Sequence, residues 1–153
     1  KSILLYDEIH SLILKETIKK DFNILKTREL EIYFWIFLKQ IILFDFKFST
    51  YCKNYIKFTK PKVIVTFNDR KPRFYELKKS FKNINFISIQ NGIHDENFFK
   101  KYTFNRCKCD YFFIFNKYYI KSYTKYIKSK YIMPESIYEV GSKNYLLKKY
   151  GPK

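Results

Sequence analysis

Short apolar runs alternate with longer amphipathic stretches along most of this 153-residue chain. The runs are Ser2–Tyr6, Phe22–Lys26, Val63–Phe67, Ile84–Ile89, Tyr111–Phe115 and Ile137–Val140. Each is too short for a helix and apolar almost throughout, as expected of strands buried on both faces of a parallel sheet. The stretches between them carry helical signals. Asp7 can cap a helix to about Lys20, with Ile9, Leu12, Ile13 and Ile18 near one face. Glu29 to Phe44 is long and so apolar that a largely buried helix is expected. Another helix starts at Ser49 or Thr50 and ends near Thr59, before Pro61. Pro72 suits the first turn of a helix to about Phe81, and Asn116 can cap one running from Lys117 to about Lys130. Residues 92–106 read as a loop with a short helix. The fold class is therefore α/β, a Rossmann-like open parallel sheet with helices on both faces.

Ligands of such sheets bind beyond the carboxyl ends of the strands. The polar residues at the end of each apolar run are therefore the first candidates for a site. Gln90, Asn91, Gly92, His94 and Asp95 come after the fourth run. Gln90 and Asn91 can exchange hydrogen bonds with sugar-like hydroxyls, and Gly92 lets backbone approach a ligand closely. His94 titrates near neutrality and is a candidate general base beside Asp95. Asn-Gly is also an ordinary turn pair. Asn68 and Asp69 come after the third run. Asp69 can bind or deprotonate a hydroxyl, or it can cap the helix from Pro72, the commoner role for such a residue. Arg70, Lys71 and Arg73 add positive charge there that can hold a phosphate or simply be solvated. Asp7, Glu8 and His10 come after the first run and should share the same rim.

Composition changes this picture little. There is no alanine, lysine outnumbers arginine 27 to 4, and Phe and Tyr together number 32. The favoured residues have AT-rich codons, so a genome-wide base bias explains much of the net charge of +17. The charge still attracts polyanions. No zinc-finger spacing, RNP-type sequence or basic region with heptads accompanies it, which disfavours nucleic acid as the partner. Lys117, Lys121, Lys125 and Lys128 would form one stripe on the expected helix and could rest on anionic lipid, although a solvated helix face explains them more simply. Cys52, Cys107 and Cys109 are too few and too unevenly spaced for a disulfide framework or a zinc site, so no metal is expected. The most apolar segment, Ile32 to Phe48, is interrupted by Lys39, Gln40 and Asp45 and falls short of the ~20 apolar residues of a membrane span. No G-x-G-x-x-G or P-loop is present, which argues against a dinucleotide oxidoreductase and a P-loop NTPase.

Read in order, several segments resemble the N-terminal half of the bacterial surface carbohydrate (surface polysaccharide) biosynthesis proteins, a glycosyltransferase-like group with a GT-B-type architecture. The segments are Ile3–Asp7, Leu25–Tyr33, Lys60–Thr66, Ile87–Ile93, Cys109–Phe115 and Val140–Asn144. The Ile89-Gln90-Asn91-Gly92-Ile93 piece is the most specific of them. The chain departs from the family at His94, where that turn often carries a basic residue. The resemblance implies an acceptor-side domain over residues 1–141. Residues 142–153, with Ser142 beside the substrate, would open the linker to a second domain. That second domain would hold the nucleotide-activated donor, so no cofactor is expected in this one and the chain alone would be catalytically incomplete. The implied reaction moves a group from that donor to a glycan or lipid-linked acceptor. The implied location is the cytoplasm, with peripheral contact at the inner membrane face as a further option. The rival expectation is a non-catalytic basic α/β module that binds anionic membrane or polyanion.

Overall fold

A computed structural model describes residues 1–8, 11, 12, 15, 21–27, 31–92, 97, 100 and 107–133. Six strands form one sheet: β1 (Ile3–Tyr6), β2 (Asn23–Leu25), β3 (Val63–Thr66), β4 (Asn85–Ile89), β5 (Cys107–Phe113) and β6 (Ile127–Met133). Their order is β2-β1-β3-β4-β5-β6 and every neighbouring pair is parallel. The register sets Leu4 beside Ile64, Ile64 beside Phe86 and Ile87 beside Tyr111. This is an open α/β sheet of Rossmann-like, doubly wound order. The strand order reverses between β1 and β3, so a crevice is expected beyond their carboxyl ends.

Alternation along the strands builds two apolar layers. Leu4, Tyr6, Ile64, Phe86 and Phe112 belong to the larger core. Leu5, Val65, Phe67 and Ile89 form the smaller one on the opposite face. The larger core is covered by α2 (Phe48–Thr59) through Tyr51, Cys52, Tyr55 and Ile56, and by α3 (Pro72–Ser80) through Phe74, Tyr75 and Leu77. Tyr123 of the short α4 (Ile120–Thr124) completes it, its ring 5.4 Å from that of Phe112. Local chemistry sets the boundaries of these helices. Lys60 takes a left-handed conformation after α2, and Pro61 comes next. Pro72 opens α3, where its missing N–H costs nothing.

Three sequence expectations are corrected. The apolar helix is shorter, α1 (Phe34–Ile42), and only Ile36 and Gln40 in it are buried. It packs on α2, one helical stripe against another, so most of its apolar side chains face outward. The helix expected from Lys117 to Lys130 is a 3₁₀ turn (Lys117–Tyr119), the five-residue α4 and then β6. Asn116 does cap that turn, its Oδ1 accepting from the Tyr118 N–H at 2.9 Å. The 3.6-residue spacing of the lysines concealed a two-residue alternation, Ile127-Lys128-Ser129-Lys130-Tyr131, that suits an outer strand. Lys128 therefore leaves the expected lysine stripe. β5 starts at Cys107, four residues before the expected Tyr111.

Asp110 explains why that start was hard to see. Cys107 and Cys109 share the larger core with Phe112 and Ile114, so the alternation changes phase between them. Asp110 sits at the phase change, and its carboxylate accepts the Phe86 N–H at 2.8 Å. Lys78 lies 2.6 Å and Lys130 3.3 Å from the same carboxylate. Burial raises the acid's pKa, but the bonds from Lys78, Phe86 and Lys130 outweigh it and hold the group below its ordinary value. The strand expected at 137–140, and most of the helix expected from Asp7 to Lys20 and of the 92–106 segment, lie outside the described residues.

Candidate functional site at the switch point

The carboxyl ends of β1, β3 and β4 lie side by side, so the polar residues after them meet. Asp7 comes directly after β1 with φ of 82°, a left-handed value seldom taken by residues other than glycine. Strain of this kind, costing about 1–3 kcal/mol, tends to persist where surrounding structure and function require it. Asn68 lies just beyond β3. Its N–H donates to Thr66 Oγ1 at 3.0 Å, and its Nδ2 donates to Asp7 Oδ2 at 3.3 Å. That bond crosses the switch point itself.

Asp69 is buried beside Asn68. It does not occupy the cap position of α3: that residue is Lys71, which makes no side-chain cap bond. Instead Asp69 Oδ1 accepts the Asn91 N–H at 3.4 Å, tying the end of β3 to the turn after β4. The Tyr75 hydroxyl donates to the Asp69 carbonyl at 3.0 Å and lies 2.9 Å from Ser88 Oγ. Burial pushes the Tyr75 hydroxyl well above its ordinary pKa, so it remains a donor at any physiological pH.

Gln90 is fully buried and holds the turn from within. Its Nε2 donates to the Gly92 carbonyl at 2.8 Å and to the Tyr123 hydroxyl at 2.9 Å, while its Oε1 accepts the Phe115 N–H at 2.9 Å. Tyr123 in turn donates to the Gly92 carbonyl at 2.8 Å. Gln90 thus positions Gly92, and Asn91 and Gly92 form the half-exposed lip of the turn. Arg70 is exposed on the neighbouring loop. His10, His94, Asp95 and Ser142 lie outside the described residues.

A cavity of about 370 Å³ opens on this rim, lined by Tyr6, Thr27, Phe48, Lys71, Arg73 and Glu76 among others. Its size is in the range of small-molecule sites. Lys71 and Arg73 give it the means to bind an anionic group, and Arg73 is held with its guanidinium 4.9 Å from the centre of the Phe48 ring. Burial raises the Tyr6 hydroxyl pKa, so this wall stays protonated. Compared with family models, curated proteins and solved structures, the chain shows no match. The site is therefore read from its own chemistry.

That chemistry is a buried cluster of Asp7, Asn68 and Asp69 that reaches the surface at the half-exposed Asn91-Gly92 lip, with a pocket lined by Lys71, Arg73 and Glu76 on the same rim. Sequence reasoning singled out Asp7, Asn68, Asp69, Asn91 and Gly92, which the fold brings together, and Gln90, which it turns inward and bonds to Gly92, Tyr123 and Phe115 rather than leaving open to hydroxyls. It missed Tyr6, Thr27, Tyr75 and Tyr123. In a chain with 15 tyrosines, nothing in the sequence marks those that support a site. A second cavity, about 540 Å³, lies away from the rim between α3 and the β5–β6 pair. Lys79, Lys82, Lys108 and Lys128 line it around the Asp110 ion pairs.

Proposed function

We propose that this domain is the acceptor side of a glycosyltransferase-like enzyme of surface polysaccharide biosynthesis. The observation that carries the reading is the Asn68–Asp7 bond across the switch point, with Asp69 and the Asn91 turn clasped beside it. In this reading Asp7, Asn68, Asn91 and the Gly92 backbone bind acceptor hydroxyls, while Arg70, Lys71 and Arg73 offset the phosphate charge of a lipid-linked acceptor. A nucleotide-activated donor is, in this reading, held by a second domain. Asp69 or His94 takes the acceptor proton as the hydroxyl oxygen attacks the activated carbon and the nucleotide departs with the bonding electrons. A positioned base contributes about 10²–10⁴-fold, with alignment by domain closure supplying more. The reaction would take place in the cytoplasm, against the inner membrane face. Among the described residues, no helix is long and apolar enough to cross a membrane.

The test is Asp69→Asn and His94→Ala, made separately in the polypeptide that also carries the donor domain and assayed for transfer. The base is the residue whose loss lowers turnover by about 10²–10⁴-fold. Full turnover in both variants rejects the assignment.

A further inference from the structure

The apolar surface of α1 and the loop after it takes no part in the rim. Trp35 is 69% exposed and Phe44 87%, and Phe34, Ile42, Leu43 and Phe46 are also exposed. Scattered exposed apolar residues need no explanation, but a contiguous run of this length does.

This surface is built, and that separates it from a frayed segment. Gln40, buried under α1, donates from Nε2 to the Asp45 carbonyl at 2.8 Å and to the Lys47 carbonyl at 3.1 Å. Asp45 accepts the Lys47 N–H at 3.1 Å and the Thr50 hydroxyl at 2.8 Å. These four bonds close the loop between α1 and α2. They hold Phe44 at φ of 49°, a left-handed value that a bulky aromatic residue rarely takes. The chain thus spends backbone strain and a buried amide to hold phenylalanine side chains in solvent.

The charge around the patch is mainly positive, with exposed Glu31 at its edge paired to Lys26. Between residues 32 and 60 there are five lysines (Lys39, Lys47, Lys53, Lys57 and Lys60), all exposed. Asp45 is the single acid in that span, and its carboxylate is engaged in the loop. A Trp- and Phe-bearing apolar ridge set among lysines matches a lipid bilayer with anionic headgroups: apolar side chains enter the acyl boundary and lysines meet the phosphates. The length fits as well, because α1's nine residues extend about 13 Å, enough to lie in the interface and too short to span it. A second copy of this chain is a poorer occupant, since each copy carries a net charge of +17.

We propose that α1 and the 43–47 loop are an interfacial docking surface for anionic membrane. The surface is independent of the transfer reaction and would serve a non-catalytic domain equally well. It also replaces the lysine stripe of 117–128, which the fold does not form.

Trp35, the single tryptophan of the chain, reports on the patch directly. The whole chain is titrated with vesicles of phosphatidylcholine alone or mixed with phosphatidylglycerol. Trp35 emission is monitored, and brominated lipid is used as a quencher. The expected result is a blue shift and quenching with the anionic vesicles, weaker with the neutral ones and reduced by salt. Phe44→Ser with Phe46→Ser, both exposed and so harmless to folding, should lower partitioning at least tenfold. Lys121→Glu should leave the Trp35 blue shift and quenching in place. An unchanged spectrum with anionic vesicles overturns the proposal, as does undiminished binding by the double variant. A concentration-dependent blue shift without lipid, with a doubled mass by light scattering, also overturns it and identifies the occupant as a second copy.

Discussion

Two buried side chains show how single residues hold the structure together. Gln90 spends its whole amide on Gly92, Tyr123 and Phe115. Gln90→Leu should leave the Phe115 N–H unsatisfied and cost about 1–3 kcal/mol, read as a shift of the urea midpoint. Asp110 is tied to Lys78, Lys130 and the Phe86 N–H. Asp110→Asn should cost about 1.5–3 kcal/mol, the range for hydrogen bonds to a charged group. The acid is held below its ordinary pKa in the folded chain, against about 3.9 unfolded. Its stabilisation is therefore complete above about pH 5 and is lost as the pH falls through 4 towards the folded value. Urea midpoints between pH 6 and 3 should fall steeply for the native chain and less for Asp110→Asn.

At the scale of elements, α1 and α2 make opposite use of apolar residues. Ile36 anchors α1 on α2, so Ile36→Ala should cost about 2–5 kcal/mol. Trp35→Ala, on the exposed side, should change stability by no more than about 0.5 kcal/mol. Thermal melts of the two variants compare them directly. The sequence pattern located β1, β3, β4, α2 and α3 because apolar run length, Pro61 and Pro72 all signal the same boundaries. It failed at α1 because periodicity reports an apolar face without saying whether anything covers it. It failed at β6 because lysines spaced for a helix also satisfy a two-residue alternation. The phase change at Asp110 likewise depends on a bond to β4, which is remote in sequence. In the same way, strand ends marked Asp7, Asn68, Asp69 and Asn91 as candidates, but only the strand order makes them neighbours.

Across the whole molecule, burial sets a second pH limit. Cys52, Cys107 and Cys109 are all buried free thiols, and burial pushes each up to about 12. They remain protonated in the folded chain while unfolded thiols ionise near pH 8.5. Stability should therefore be unaffected below about pH 8 and decline as the pH rises from 8.5 towards 12. A disulfide reagent at pH 8 should modify the cysteines only as fast as the chain opens, and rapidly once urea is added. The same fold leaves one rim that carries a cavity lined by Lys71, Arg73 and Glu76 and the half-exposed Asn91-Gly92 lip of the buried cluster. The central claim is that this rim binds the acceptor. The most direct measurement is an amide-resolved NMR titration of the chain with a short-chain prenyl diphosphate sugar. Shifts are expected at Thr27, Asn68, Asp69, Lys71, Arg73 and Asn91. Shifts confined to the lysine-lined cavity at Lys79, Lys82, Lys108 and Lys128, or no shifts at all, would contradict it.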